Sequence, residues 1–150
     1  MQSNKRALPY LLAGTAFVGT VDILYAIGFW AFRGVPPIAI LQSISAGLLG
    51  RAAFSGGSGT AILGLALHYF IALAIVVVYW LAGRRIDVLF RRYILFGALY
   101  GLAVYGVMNY VVLPLSAAGK TAYNPAWVIC SVIVHVVLIG IPAAVFARQA

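Results

Sequence analysis

The sequence predicts an all-α protein, a four-helix transmembrane bundle with a short interfacial or re-entrant segment between helices 1 and 2. Three observations favour this fold class: an apolar composition, four stretches long enough to cross a bilayer, and basic residues at the ends of those stretches. Hydrophobic residues make up 65% of the 150 residues and charged residues only 8%, whereas a soluble domain carries about 25% charged residues. So few charges cannot cover a soluble globule of this size, and lipid is the expected solvent. We expect residues 1–150 to form a single integral membrane domain.

The four apolar stretches cover roughly residues 8–32, 60–82, 93–115 and 126–147. Each reaches the length of about 20 residues that a helix needs to cross a hydrocarbon core of about 30 Å. The first stretch exceeds the roughly 7–15 apolar residues of a cleaved signal peptide, and it contains Asp22. We therefore expect it to be retained as helix 1.

The segment at residues 36–54, between helices 1 and 2, has a different character. Its apolar residues recur at roughly helical spacing, but the segment is too short to span a bilayer. A flexible joint, SGGSG, follows it at residues 55–59. We expect a brief helix that lies in the outer interface or enters the membrane shallowly. Its role is either to cap the bundle or to act as a lid or a docking surface.

The basic residues indicate the orientation of the chain. With the N-terminus inside, the inner segments hold seven of the ten Lys and Arg residues and the outer segments hold three. The inner ones are Lys5, Arg6, Arg84, Arg85, Arg91, Arg92 and Arg148, and the outer ones are Arg33, Arg51 and Lys120. Because Lys and Arg concentrate on the cytoplasmic side, we expect a multi-pass protein with cytoplasmic N- and C-termini. The net charge of +8 therefore reflects membrane topology, and no nucleic-acid partner is expected.

Some residues near the helix ends and at packing positions carry local predictions. Asn124 followed by Pro125 predicts the N-cap and the first residue of helix 4. Pro142 should kink helix 4, and the GxxxG at Gly97 and Gly101 predicts close helix packing, within the chain or in a dimer. Aromatic residues at the ends of the stretches fit interfacial belts: Tyr10, Trp30, Trp80, Tyr93 and Trp127.

A polar layer is expected inside the bundle, because each predicted helix carries one strongly polar side chain. These are Asp22, His68, Asn109 and His135. At a rise of 1.5 Å per residue, the topology puts all four roughly 9–15 Å below the outer helix ends. Small and hydroxyl residues share their helical faces, which is typical of helix–helix contact. An ionisable group in lipid costs about 2.5–3.5 kcal/mol, so it should face inward and find a partner. We expect Asp22 to pair with a histidine or with Asn109.

Four roles stay open for this layer. It could be a hydrogen-bond network that fixes helix register, or a proton relay or solute path, since an intramembrane Asp with His suggests a pathway. It could hold haem b between His68 and His135, two ligands from diagonal helices of a bundle; covalent haem is excluded because CxxCH is absent. It could also bind a divalent metal through Asp22, His68 and His135.

Five strings of the sequence carry a resemblance to a group of membrane proteins. They are GTVDILYA, AGLLGRAAFSGG, GLALHYFIA, YGVMNYVVLPLS and a final helix that contains a histidine and GIPAA. With these strings, the chain resembles small four-helix inner-membrane proteins of Gram-negative bacteria over nearly its whole length. The resemblance implies a bacterial inner (cytoplasmic) membrane. It implies no activity and no functional residue.

The function that we expect from the sequence is non-enzymatic, because signatures such as HExxH, GxSxG and paired carboxylates are absent. The chain would be an accessory subunit or a transport-related component without a cofactor, with the lipid bilayer and a larger membrane complex or a second copy as partners. One alternative is a b-type haem electron carrier with bis-His ligation by His68 and His135. Another is a proton-coupled small-solute carrier.

Overall fold

The fold is entirely helical in the part of the chain that the structure describes. This structure is a computed structural model that describes residues 3–119 and 123–150, with the backbone alone for residues 3–6. Lys120 lies outside the described residues, as do the side chains of Lys5 and Arg6. No strand occurs in the described ranges, which confirms the predicted all-α class.

The helices follow one another along the chain with short connections. Their bounds are α1 Ser3–Ala31, α2 Pro37–Leu49, α3 Gly57–Gly83, α4 Asp87–Arg91, α5 Tyr93–Val107, α6 Leu113–Leu115, α7 Pro125–Val134 and α8 Ile141–Gln149. A 3₁₀ helix, Gly50–Ser55, follows α2. Two π-helical segments, Met108–Val112 and His135–Gly140, join α5 to α6 and α7 to α8. The α5–α6 helix and the α7–α8 helix are therefore each continuous.

Five helical stretches of the described residues are long and apolar enough to cross a membrane: Ala7–Ala31, Pro37–Ser55, Gly57–Gly83, Tyr93–Leu115 and Pro125–Gln149. Four of them coincide with the predicted spans. The fifth lies in the segment predicted to be too short, and the 3₁₀ helix after α2 brings it to 19 residues. Large apolar side chains such as Leu24 and Phe70 are more than 60% exposed. Such a surface suits lipid and not water, as in an integral membrane protein.

Glycines bring the long helices into close contact. In the antiparallel pair of α1 and α3, a Cβ at Gly19 would lie 2.7 Å from the ring of Tyr69. In the pair of α5 with the α7–α8 helix, a Cβ at Gly101 would overlap the main-chain carbonyl of His135, and one at Gly140 would overlap the carbonyl of Gly97. The glycines of the predicted GxxxG motif thus pack within the chain, as small residues do between membrane helices.

The segment of α2 and the 3₁₀ helix folds back on itself at Gly50, whose φ of 60° is left-handed. Both arms reach Thr60 near the start of α3. The Gln42 side-chain amide donates to Thr60 Oγ1 at 3.5 Å, and Thr60 Oγ1 donates to the Ala53 carbonyl at 2.6 Å. In one straight helix, residues eleven positions apart would lie about 16 Å apart. The fold-back is closed from another side by Ala117, whose N–H donates to the Gly47 carbonyl at 2.9 Å.

The bundle has two chemically different ends. The Arg-rich end carries Arg84, Arg85, Arg91, Arg92 and Arg148. There, the guanidinium of Arg84 lies 4.8 Å from the Trp80 ring and that of Arg148 lies 4.7 Å from the Tyr93 ring. The α2 end carries the end of α1, the α2 segment and the start of α7. At this end Asn124 Oδ1 accepts a hydrogen bond of 3.1 Å from the Trp127 N–H, which confirms the predicted N-cap.

Candidate functional site

A cavity of about 630 Å³ lies among α1, α2, α3, the α5–α6 helix and the α7–α8 helix. Small-molecule sites typically enclose about 300–1,000 Å³. All four residues of the predicted polar layer line this cavity: Asp22, His68, Asn109 and His135. Each of the four is half-buried. The structure thus brings together the four residues that the sequence analysis singled out.

The cavity is closed toward the Arg-rich end and open toward the α2 end. Its floor includes Val18 and Ile139, each only 1% exposed, and both belong to the packed apolar core. Its wall also includes Leu48 and Leu115, which are 63% and 83% exposed. Both residues lie at the α2 end, where the cavity approaches the surface and where the Ala117–Gly47 hydrogen bond joins α2 to the chain after α6.

Three of the four polar side chains donate a hydrogen bond to a main-chain carbonyl. His68 Nε2 bonds to the Gly19 carbonyl of α1 at 2.7 Å. His135 Nδ1 bonds to the Ser131 carbonyl at 2.8 Å, and Asn109 Nδ2 bonds to the Tyr105 carbonyl at 2.9 Å. The expected hydrogen bonds among Asp22, the histidines and Asn109 are absent. The physical reason is that carbonyls within reach already take up the N–H groups.

These contacts determine which polar atoms remain free. A carbonyl oxygen only accepts, so the contacting nitrogens carry hydrogen, and in a neutral imidazole the other nitrogen is then an acceptor. The atoms left without a partner among the described residues are His68 Nδ1, His135 Nε2, Asn109 Oδ1 and the Asp22 carboxylate oxygens. No fully buried side-chain nitrogen or oxygen in the described part lacks a partner, so these atoms are accessible. The part of the cavity around these four residues, here called the inner cavity, therefore presents acceptors and one carboxylate.

Two of the four residues lie in the π-helical segments, Asn109 in Met108–Val112 and His135 at the start of His135–Gly140. Each segment ends shortly before a proline, Pro114 and Pro142 respectively. Proline lacks an N–H and its ring crowds the carbonyl four residues earlier, so it disturbs the preceding helical turn. Such π segments often occur at functional sites. The two prolines are therefore the sequence signal for the π-helical segments. Pro142 was predicted to kink its helix.

An aromatic wall, defined as Tyr25, Trp30 and Trp127, lines the cavity nearer the α2 end. The rings of Tyr25 and Trp127 stack at 5.1 Å, and those of Trp30 and Trp127 lie 5.5 Å apart. Both tryptophans were predicted to belong to interfacial belts, and their position in the wall of the cavity was not predicted. Each tryptophan lies eight residues, or about 12 Å, from Asp22 or from His135 along its own helix. That spacing keeps each tryptophan on the same helical face as the polar residue of its helix. It was the sequence signal that could have predicted the aromatic wall.

The geometry does not fit the cofactor alternatives well. His135 Nε2 is free in the way a metal-bound histidine requires, but His68 Nε2 is held by the Gly19 carbonyl. A bis-His haem through both Nε2 atoms would have to break this link between α1 and α3. Within the described ranges, no three His, Cys, Asp or Glu side chains are close enough to share a metal ion. Asp22, His68 and His135 therefore do not form a ligand set as they stand.

The site can hold a small molecule with a polar end among the acceptors and an apolar body against the aromatic wall. Its remaining lining is mainly aliphatic, from residues such as Ile44, Ile71 and Leu113. This combination of apolar walls with a few convergent polar groups is typical of small-molecule sites. No protein-family model matches the chain, and no curated protein or solved structure is significantly similar to it.

Proposed function

We propose that this protein is a non-enzymatic, transport-related membrane protein that binds a small, partly apolar solute in the cavity. The observation that carries this proposal is the convergence of one polar side chain from each of four long helices on one cavity of about 630 Å³. A purely structural network would saturate these groups with one another. Instead, the Asp22 carboxylate has no partner among the described residues, which leaves it available to a solute.

The proposal includes four membrane-spanning helices, with the α2 segment as a cap over the cavity. The 13 residues of α2 extend about 20 Å, whereas a hydrocarbon core is about 30 Å thick. The 3₁₀ helix does not extend α2, because both arms of the segment return to Thr60. A segment that folds back in this way is better suited to cover one end of the bundle than to cross the membrane.

The proposed location is a bacterial inner membrane, with the Arg-rich end and both termini in the cytoplasm. Five arginines at the Arg-rich end, against Arg33 and Arg51 at the α2 end, support this orientation within the described residues. The resemblance to small inner-membrane proteins of Gram-negative bacteria points to the same membrane. A reporter that is active only in the periplasm should be inactive when fused to the C-terminus, and activity there would contradict the orientation.

Solute binding can be measured by the protein's own fluorescence. The chain has three tryptophans, of which Trp30 and Trp127 line the cavity. In a Trp80→Phe background, with excitation selective for tryptophan, only these two residues emit, so an occupant of the cavity should change the emission. We expect at least one class within a panel of organic cations, anions and neutral solutes to give a saturable change in nanodiscs.

A matched pair of variants separates the cavity from the lipid. Ala26→Phe on α1 fills cavity space and should abolish the saturable change. Ala16→Phe makes the same substitution on the same helix, at an exposed position outside the cavity, and should preserve it. A response to no solute, or the same response in both variants, would contradict the proposal.

A proton-coupled carrier is the second candidate, favoured by the unpartnered Asp22 carboxylate in a cavity that also exposes a nitrogen of His68 and one of His135. In vesicles loaded with a pH-sensitive dye, solute addition should move protons with the wild-type protein and not with Asp22→Asn. Asp87→Asn removes the chain's other acid, which lies in α4 at the Arg-rich end, and serves as the control. Unchanged proton flux in Asp22→Asn would reject the coupling.

A further inference from the structure

The geometry points to a protonated amine with an aromatic-sized apolar body as the solute of this cavity. The inference rests on the proposed function, because it names the chemical class of solute that the same cavity takes. It follows from three properties of the wall: the polarity of its free atoms, its charge, and the distance between its acceptors and its aromatic rings.

The free polar atoms of the inner cavity call for a hydrogen-bond donor. His68 Nδ1, His135 Nε2 and Asn109 Oδ1 are acceptors because their companion atoms donate to carbonyls. The serines nearby do not compete as donors. Ser43 donates to the Ile40 carbonyl at 2.7 Å and Ser116 donates to the Leu113 carbonyl at 2.8 Å. A primary ammonium group, which has N–H donors and no acceptor, suits a wall whose free atoms all accept.

The charge of the wall selects a cation. Asp22 is the one acid on the cavity wall, and no lysine or arginine is found among the described residues that line it. A solute carboxylate would therefore meet a carboxylate and several lone pairs. An alcohol would satisfy one acceptor and leave the others unpaired. Only a cationic donor both neutralises Asp22 and offers several N–H groups in a site of low dielectric.

The aromatic wall sets the size and character of the rest of the solute. Trp30 and Trp127 lie about 12 Å toward the α2 end from Asp22 and His135 along their helices. An amine bound among the acceptors can therefore direct a short apolar chain and a ring toward the indoles. The same rings attract a cation that enters from the α2 end. The indole N–H groups of this wall belong to residues about 12 Å along the helices from Asp22 and His135.

Four analogues of equal length test the inference: 2-phenylethylamine, 2-phenylethanol, 3-phenylpropanoate and phenethyltrimethylammonium. Each is titrated at neutral pH into the Trp80→Phe protein in nanodiscs, with Ala26→Phe as the blank for partition into lipid. We expect 2-phenylethylamine to bind at least about 10-fold more tightly than the alcohol and the carboxylate, since only the amine forms charge-assisted hydrogen bonds to the Asp22 carboxylate. The quaternary analogue should bind more weakly than the amine, because it has no N–H to donate.

A pair of variants assigns the selectivity to the carboxylate. Asp22→Asn should weaken 2-phenylethylamine binding by about 10- to 100-fold and leave the affinity for 2-phenylethanol within about threefold. Asp87→Asn, outside the cavity, should change neither affinity. If Asp22→Asn does not fold, the ranking of the four analogues by the protein that retains Asp22 tests the inference by itself.

The outcomes separate the inference from the proposed function. Tightest binding of 2-phenylethylamine, lost in Ala26→Phe, supports both. Equal binding of all four analogues, or tightest binding of 3-phenylpropanoate or of the quaternary ion, contradicts an amine as the solute class. The proposal that the cavity binds a solute would still stand. Absence of any saturable response, from these analogues or from the wider panel, overturns both.

Discussion

His68 Nε2 donates a hydrogen bond of 2.7 Å to the main-chain carbonyl of Gly19 and so ties the polar layer of α3 to the backbone of α1. The adjacent residues strengthen the same crossing, where Tyr69 Oη and Thr20 Oγ1 lie 2.8 Å apart within hydrogen-bond distance. The close approach depends on Gly19, which leaves room for the Tyr69 ring. One nitrogen of His68 therefore holds two helices together, and the other is left to the cavity.

Replacing His68 with Ala should lower the free energy of unfolding in mixed detergent micelles by about 0.6–1.7 kcal/mol, the average and the maximum measured for hydrogen bonds between membrane helices. Asn109→Ala is the matched control. Its Nδ2 bonds to the Tyr105 carbonyl within its own helix, so its removal breaks no hydrogen bond between helices. We expect a change below about 0.5 kcal/mol there. Equal losses in the two variants would show that the inter-helix bond does not stabilise the bundle.

Replacing Gly101 with Ala should destabilise the bundle by about 1–3 kcal/mol, the usual cost of overpacking. A Cβ at this position would overlap the His135 carbonyl and lie 2.9 Å from Val136 Cα, and the backbone of a helix does not yield easily. Gly106→Ala on the same helix α5 is the control, because nothing lies within 4 Å of a Cβ there. Its stability should stay within about 0.5 kcal/mol.

The same pair of variants also tests whether the α7–α8 helix is positioned by this contact. A shift of that helix would move His135, whose carbonyl receives the clash. Solute binding to the cavity should therefore weaken in Gly101→Ala and be retained in Gly106→Ala. Unfolding curves that coincide for Gly101→Ala and Gly106→Ala would contradict the packing seen between α5 and the α7–α8 helix.

The sequence predicted the parts of the structure that depend on periodic or local signals. Apolar stretches of spanning length located the long helices, and the Asn124–Pro125 pair located the start of α7. The polar layer could be expected because every charged or amide group in an apolar stretch must face inward. Its depth in the membrane stays a prediction, made by counting residues at a fixed helical rise.

The remaining features depend on contacts between distant parts of the chain. The fold-back at Gly50 requires Thr60 to meet both arms of the α2 segment, and no local pattern shows this. The histidines bond to carbonyls rather than to Asp22, because main-chain acceptors are present on every helix and lie close wherever glycine lets the backbones approach. Trp30 and Trp127 have the residue type and the position expected of an interfacial belt. Only the helical faces that they share with Asp22 and His135 distinguish them from ordinary belt residues.

A disulfide between α2 and the end of the α5–α6 helix should fix the α2 segment over the cavity. A Cβ at Gly47 would lie 3.8 Å from Cβ of Ser116, close to the average of about 3.8 Å in disulfides. Both positions line the cavity. We expect Gly47→Cys with Ser116→Cys, in a Cys130→Ser background, to form the bond under mild oxidation and to slow the exchange of a bound solute. Reductant should restore the rate.

Each single cysteine variant is the control for that experiment, since it has the substitution and lacks the bond. Gel mobility with and without reductant shows whether the disulfide forms. Failure to form it would contradict the observed approach of α2 to residue 116. Formation without any change in solute exchange would mean that the solute does not pass between α2 and α6.

Solute binding should weaken as the pH is lowered below neutral, because protons compete with the amine for the Asp22 carboxylate. The titratable groups that face the cavity are Asp22 and Tyr25 on α1, His68 on α3 and His135 on the α7–α8 helix, while α2 and the α5–α6 helix contribute serine and amide groups. An alkylamine stays protonated below neutral pH, like a lysine side chain. A proton on the Asp22 carboxylate removes its negative charge and takes up an acceptor, and so lowers the affinity for the amine.

The sign of this pH dependence distinguishes an amine site from its alternatives. A bound carboxylate would gain affinity at low pH, because protonation of Asp22 removes the charge that repels it, and a neutral solute would be insensitive to that charge. In Asp22→Asn, the part of the dependence that comes from the carboxylate should disappear, and Asp87→Asn should retain the whole of it because that residue lies at the Arg-rich end. Titrations of 2-phenylethylamine at several pH values, for the unsubstituted cavity and both variants, measure the effect. An affinity that rises on acidification would mean that protons help the solute to bind, which a cavity built from acceptors and one carboxylate does not allow for an amine.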